Sequence, residues 1–352
     1  MSSVAVGFSS IAAVLILLAL RAPIGVALGL VSLSGIAFIR GPEVALGTLK
    51  SIPFDFAANW SLSAIPMFIL MGAVAHHSGI STALFTAARL WFGRLPGGLA
   101  VATNFACAGF AAASGSSIAT SAAMGRIAIP EMLRQGYDKG LAAGVVTSAG
   151  TLGALIPPSI LFILYGIFAE QSITRLLIAG ILPGLLTAGV YTVMIIVRCI
   201  LNPKLAPKLD IAAPFSERMA SLSPVWPLLL LIVGIIGGLY GGLVTPTEAG
   251  AFGAFLAFVI VASQGKLTID VIKASVIEAT SATARLLFVA VGAMLLSHLM
   301  ALSGVPAYLG SMIGDYALNP LYLVIGMSLI YIILGMFLDP LGILLLTLPI
   351  LL

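Results

Sequence analysis

Apolar residues in this chain do not alternate with polar ones; they run on without interruption for the length of a helix. Stretches of spanning length, about 17 to 25 residues, fall at roughly 4–20, 22–39, 60–78, 174–200, 224–242, 245–263 and 281–302. Continuous runs of this kind exclude a β-barrel, whose short strands alternate inside and out. They predict an all-α polytopic membrane protein. Amphipathic pieces around 43–58, 80–92 and 267–280 are expected to lie along the membrane interface. The one sizeable polar segment, NPKLAPKLDIAAPFSERMASLS at 202–223, reads as a linker that divides the chain into halves.

Three stretches break the pattern, at 97–130, 138–169 and 305–352, each interrupted by Gly, Pro, Ser or Asp. In the first, Ser114-Gly115-Ser116-Ser117 lies between two apolar arms of about 14 residues, each too short to cross alone. The chain is therefore expected to turn back inside the membrane as a re-entrant helical hairpin. Non-helical backbone is tolerated at that depth only where it lines a cavity or is buried in protein. Gly115 permits the turn, and the serine hydroxyls with the freed carbonyls offer oxygen ligands to a hard cation. A contact between small residues of neighbouring helices is the alternative reading. In the second stretch, GTLGALIPPSILFILYG at 150–166, the Pro157-Pro158 pair removes two N–H donors and disfavours helix at Ile156. A span unwound between Gly153 and Ser159 is expected, with carbonyls exposed at mid-depth; a kink used only for packing is the alternative.

Composition confirms the class. The chain is 61% hydrophobic with a mean hydropathy of +1.19, and 8% of its residues are charged, against about a quarter in a soluble domain. The net charge of +4 suggests no nucleic-acid partner, because basic residues gather on the cytoplasmic side of such proteins. With a periplasmic N-terminus and alternating spans, 13 of the 16 Lys and Arg fall on the cytoplasmic side, the exceptions being Arg40, Lys50 and Arg175. Both flanks of 97–130 are basic, with Arg89 and Arg94 before it and Arg126, Arg134 and Lys139 at and beyond its end. A single crossing would strand one of these clusters on the wrong side. No cleavable signal peptide is expected, since the first run passes through Arg21 directly into the second. Cys107 and Cys199 lie in apolar runs and read as packing residues.

The second half repeats features of the first. Ser78-Gly79 is followed 18 residues later by Pro96 and 36 residues later by Ser114; Ser303-Gly304 is followed 17 residues later by Pro320 and 36 residues later by Asp339. The charge-derived topology makes the second hairpin enter from the opposite face. Inverted repeats with two opposed hairpins mark a transporter. Asp339 is then an intramembrane acid, a functional candidate by default, or the cap of a helix starting at Pro340. In TPTEAGAFGAF at 245–255, Thr245 or Thr247 can cap a helix with Glu248 in its first turn, proton or ion binding being the alternative. His298 and the His76-His77 pair have no metal-ligand spacing. No grouped nucleophile and base, phosphate loop or ATPase motif is present, so an ion gradient is the expected energy source and an enzyme is not.

These motifs carry a resemblance. The segment AAASGSSIATSAAMGRIAIPEMLRQGYDKGLAAGVVTSAGTLGALIPPSILFILYG, with RAPIGVALG, IPMFILMGAVAHHSGI and VTPTEAGAFGA, resembles the large membrane subunit of tripartite ATP-independent periplasmic (TRAP) transporters over essentially the whole chain. The resemblance implies an elevator-type secondary transporter of the bacterial inner membrane. In it a mobile domain carries two hairpins past a scaffold shared with a small membrane subunit. A periplasmic substrate-binding protein would deliver an organic acid, a C4-dicarboxylate or sialic acid-like carboxylate, with Na+ as the coupling ion and no other cofactor. Carried over residue by residue, Ser114 and Ser116 with the carbonyls of Gly153, Ile156 and Pro158 form the first sodium site. Ser117, Asp339, Pro340 and Gly342 belong to the substrate or second-ion hairpins. The chain divides into scaffold spans and an interfacial helix at 1–60, a first repeat at 61–201, a cytoplasmic linker at 202–223 and a second repeat at 224–352. The family continues past its second hairpin tip into a second broken helix, which the 225-residue repeat offset puts near 378–383. This chain, ending at Leu352, is expected to lack half of the second ion site. A stand-alone sodium/dicarboxylate symporter is the alternative function, and a polytopic membrane enzyme a more distant one.

Overall fold

The computed structural model describes residues 2–207, 214–315, 320–336, 338 and 340–351, and all regular structure among them is helical. The apolar runs become α1 (Ser3–Ala19), α2 (Ile24–Arg40), α3 (Pro42–Ala57) and α4 (Ala64–His77). There follow α5 (Ile80–Phe92), α6 (Gly98–Ser114), α7 (Ser117–Arg134), α8 (Lys139–Gly150), α9 (Leu152–Leu155), α10 (Ile160–Phe168) and α11 (Ile173–Leu201). The remainder forms α12 (Phe215–Leu222), α13 (Trp226–Tyr240), α14 (Pro246–Ser263), α15 (Ile269–Ser303), α16 (Val305–Asp315), α17 (Pro320–Gly335) and α18 (Pro340–Leu351). Among the described residues five helical segments are long and apolar enough to cross a membrane: Trp60–His77, Ile173–Leu201, Phe215–Tyr240, Pro246–Ser263 and Ile269–Ser303. A sixth is the pair Lys139–Leu155 and Ile160–Phe168, bent by 44° at its break. The 17-residue helices α1 and α2 sit at the short end of spanning length.

Three expectations need correction. The hairpin arms are 17 and 18 residues, longer than the sequence suggested. The second is disqualified as a span by charge instead of length, since α7 carries Arg126, Glu131 and Arg134. The piece at 267–280 is no separate interfacial helix; it joins the following span in the 35-residue α15, about 52 Å long. The polar segment at 202–223 is helical at its end, where α12 lies.

The chain forms two compact units, residues 1–60 with 283–352, and residues 61–282. In the first, small residues let helices approach closely, as membrane helices require: Gly7 faces Ser303 and Val305, and Gly35 faces Leu299. Phe8 meets Tyr308 edge-on at 6.1 Å. Within the same unit, Tyr331 of α17 and Thr347 of α18 share a hydroxyl hydrogen bond of 2.8 Å.

The second unit is built around α6. Nearly every residue of that helix is buried, from Leu99 to Ser114, so it is apolar on all sides and wrapped by α4, α5, α7, α8 and α11. Its buried polar residues are Thr103, Ser114 and, reaching α11, Asn104. The Asn104 amide donates to the Ala188 carbonyl (2.8 Å) and the Thr192 hydroxyl (2.9 Å), fastening α6 to α11. At the other end of the hairpin, Arg89 of α5 pairs with Glu131 of α7 at 2.8 Å, and Arg134 joins at 3.2 Å. Leu182, Leu185 and Leu186 of α11 are largely exposed, an apolar surface suited to lipid.

Two junctions share their local geometry. Gly79, between α4 and α5, has φ +84°, and Gly304, between α15 and α16, has φ +74°. The preceding serines are both buried and both donate to the carbonyl three residues back, Ser78 to Ala75 (3.1 Å) and Ser303 to Met300 (2.9 Å).

Candidate functional site

The centre of the second unit is the place where the hairpin tip meets the broken helix. Ser114 ends α6 and is 2% exposed. Gly115 then takes a left-handed φ of +60°, and its N–H donates to the Ala111 carbonyl at 2.8 Å. A side chain there would be strained and would collide with the Pro158 carbonyl. Ser116 is extended and caps α7, its hydroxyl accepting from the Ala119 N–H at 3.3 Å. Ser117 opens α7 and is half-buried.

Opposite the tip, helix persists through Leu155, so Gly153 lies inside α9, contrary to the expectation that unwinding begins there. The break itself is confined to 156–159, with Ile156 (φ −77°, ψ 124°) and Ser159 (φ −109°, ψ 125°) extended. The physical reason is that a proline removes a donor without unwinding the residue four positions earlier. Pro157 cannot donate to the Gly153 carbonyl, and Pro158 cannot donate to that of Ala154. The Ser159 hydroxyl replaces the second lost bond, donating to Ala154 at 2.7 Å. The Ile156 N–H does not take the place of the bond lost at Gly153, since it donates to Leu152 at 2.8 Å. A helical Gly153 thus still presents a carbonyl freed of its backbone donor.

Tip and break are in direct contact. The Ile160 N–H, at the start of α10, donates to the Gly115 carbonyl at 3.1 Å. A Cβ on Gly153 would lie 2.5 Å from the Ser116 carbonyl oxygen and 2.8 Å from the Ser117 nitrogen. The structure therefore joins Ser116 to Gly153 and, through Gly115, the tip to Pro158. Ile156 contributes backbone only, since its side chain turns to Gly184 of α11. The starts of α7 and α10 and the ends of α6 and α9 meet at this locus, offering N–H groups and carbonyl oxygens from helix termini. No charged residue occurs between Leu95 and Gly125 or between Gly140 and Ala169, so the oxygens these two segments offer are neutral.

Sequence reasoning missed Thr120, fully buried in α7 and hydrogen-bonded to Ser114 (2.9 Å between hydroxyl oxygens). It also missed Ser159 and Ser121, the latter lying against Gly150. Only contact across the turn picks out Thr120, and no spacing rule would have found it. Of the residues expected at a second hairpin, Pro340 opens α18 and Gly342 is buried in its first turn, while Asp339 lies outside the described residues. Thr245 and Glu248 form a capping box at the start of α14, with Glu248 accepting from the Thr245 N–H at 2.7 Å. Among the described residues no group of three or more His, Cys, Asp or Glu could hold a metal ion.

An all-helical chain with several membrane-length apolar helices, and a buried hairpin tip docked on a broken one, is a polytopic membrane protein. The comparisons identify its kind: the chain belongs to the family of the DctM component of tripartite ATP-independent periplasmic transporters, whose model matches residues 11–352. It is 36% identical over 298 residues to the C4-dicarboxylate TRAP transporter large permease protein DctM of Pseudomonas aeruginosa, covering 84% of this chain and 69% of that protein. With the protein of the same description from Rhodobacter capsulatus it shares 34% over 344 residues, covering 94% and 77%. With the 2,3-diketo-L-gulonate TRAP transporter large permease protein YiaN of Escherichia coli it shares 31% over 284 residues, covering 80% and 66%. The chain is a TRAP large permease of the inner membrane.

Proposed function

We propose that this permease carries an organic acid inward in symport with sodium by an elevator movement. In this reading a small membrane subunit completes the scaffold and a periplasmic binding protein delivers the substrate. The observation that carries it is the contact of the hairpin tip with the proline-broken helix, which gathers the Ser114 and Ser116 region and the freed Gly153 carbonyl at one buried point. Neutral hydroxyl and carbonyl oxygens suit a monovalent alkali cation; calcium sites recruit carboxylates. The helix starts at the same locus favour an anion nearby. Relatives named for C4-dicarboxylates and for 2,3-diketo-L-gulonate support a carboxylate substrate. The matched Ser78-Gly79 and Ser303-Gly304 junctions support an inverted repeat, with Asp339, Pro340 and Gly342 at the second hairpin.

The test is uptake into proteoliposomes holding the permease with its small subunit and binding protein, under an inward sodium gradient or equal potassium. We expect accumulation only with sodium, and a higher sodium requirement for Ser114→Ala. Uptake indifferent to both sodium and Ser114 would refute the mechanism.

A further inference from the structure

We infer that Thr120 is a positioning residue for ion binding: it holds the Ser114 hydroxyl so that a lone pair, and not the proton, faces the ion. The inference rests on the reading of Ser114 as a sodium ligand. A serine hydroxyl has one proton and two lone pairs. A cation repels that proton, so a coordinating serine needs an acceptor on the side away from the ion. Ser114 is 2% exposed and Thr120 is 0% exposed, which removes bulk water as that acceptor. The Thr120 hydroxyl oxygen, 2.9 Å from that of Ser114, fills the role from the neighbouring helix. Its placement is firm on both sides. Gly72 of α4 abuts the Ser114 backbone, where an added Cβ would lie 2.7 Å from Cα, and the Thr120 N–H donates to the Ser116 carbonyl at 3.0 Å. A β-branched threonine on a helix is restricted in χ1, and the contact with Ser114 marks the rotamer in which its oxygen meets that hydroxyl.

The experiment compares Thr120→Val, Thr120→Ser, Ser114→Ala and the Ser114→Ala/Thr120→Val double variant in the full transporter. Sodium is titrated in uptake assays and, independently, by the sodium-induced rise in thermal midpoint of the purified complex. Valine keeps the shape and loses the acceptor; serine keeps the acceptor and loses the methyl. Thr120→Val should raise half-saturating sodium about tenfold, the lower range for losing a partner that orients a ligand, with the rate at saturating sodium retained. Thr120→Ser should titrate like the wild type. The double variant should be no worse than Ser114→Ala alone, because Thr120 acts through Ser114. If Thr120→Val fails to assemble, Thr120→Ala takes its place in the thermal titration with the same expected shift. Additive effects, or serine behaving like valine, would overturn the inference, as would an unshifted Thr120→Val beside a shifted Ser114→Ala. An unshifted Ser114→Ala would instead remove the sodium site itself.

Discussion

Gly153 shows how one missing methyl group can hold a site together. Its α-carbon faces the Ser116 carbonyl so closely that a Cβ would sit 2.5 Å from the oxygen and 2.6 Å from the carbon, and backbone cannot move aside as a flexible side chain could. Gly153→Ala should therefore lift the hairpin tip off α9, costing about 1–3 kcal/mol as overpacking does and abolishing sodium-driven uptake. A thermal melt and an uptake assay on the same preparation check both; unchanged uptake would mean that the contact is not needed. The serines and the two prolines could be recognised in the sequence because hydroxyls, glycine and proline are out of place in an apolar run. Thr120 and Asn104 could not. Each is an ordinary polar residue on a helix, and its meaning comes from a partner six residues away across the turn or on α11.

Elements were legible where the chemistry of their ends is local. The start of α14 follows from Thr245, Pro246 and Glu248, and the structure closes the capping box those residues suggest. Thr245→Ala should lower the thermal midpoint modestly and leave the sodium dependence of uptake unchanged, as expected of a helix cap; a shifted sodium requirement would assign these groups a further role. The extent of the hairpin was harder to read. Arg126 and Arg134 read as the basic flank of the hairpin, although they continue the same helix, whose end Glu131 ties to Arg89 of α5. Similarly, Asp270, Lys273 and Glu278 look like an interfacial break before the span, yet α15 runs through them; His77 of α4 meets Glu278 at 2.7 Å. Helical hydrogen bonding tolerates such residues, so a change of polarity does not end a helix. Proline does. Pro157→Ala would return a donor to the Gly153 carbonyl, and we expect α9 to extend, with stability kept or raised and half-saturating sodium increased. Sodium dependence unchanged in that variant would show that the freed carbonyl is not a ligand.

For the whole molecule, composition and apolar run length were enough to assign the membrane class, and the family follows from nearly the entire chain. The grouping of 1–60 with 283–352 is a different matter, because it joins segments more than two hundred residues apart through small-residue contacts such as Gly7 with Val305 and Gly35 with Leu299. No local pattern announces those pairings. The break at 156–159 has one further consequence, for the unloaded carrier. A helix interrupted by glycine can zip up when its ligand leaves, since every N–H it needs is still present. One interrupted by Pro157 and Pro158 has no such option, because the missing donors are absent from the polymer itself. On the proposed reading the gap is as open before loading as after it, so an ion would bind with little ordering entropy spent. A carrier of that kind would reset for its next cycle without refolding the element proposed to hold the coupling ion.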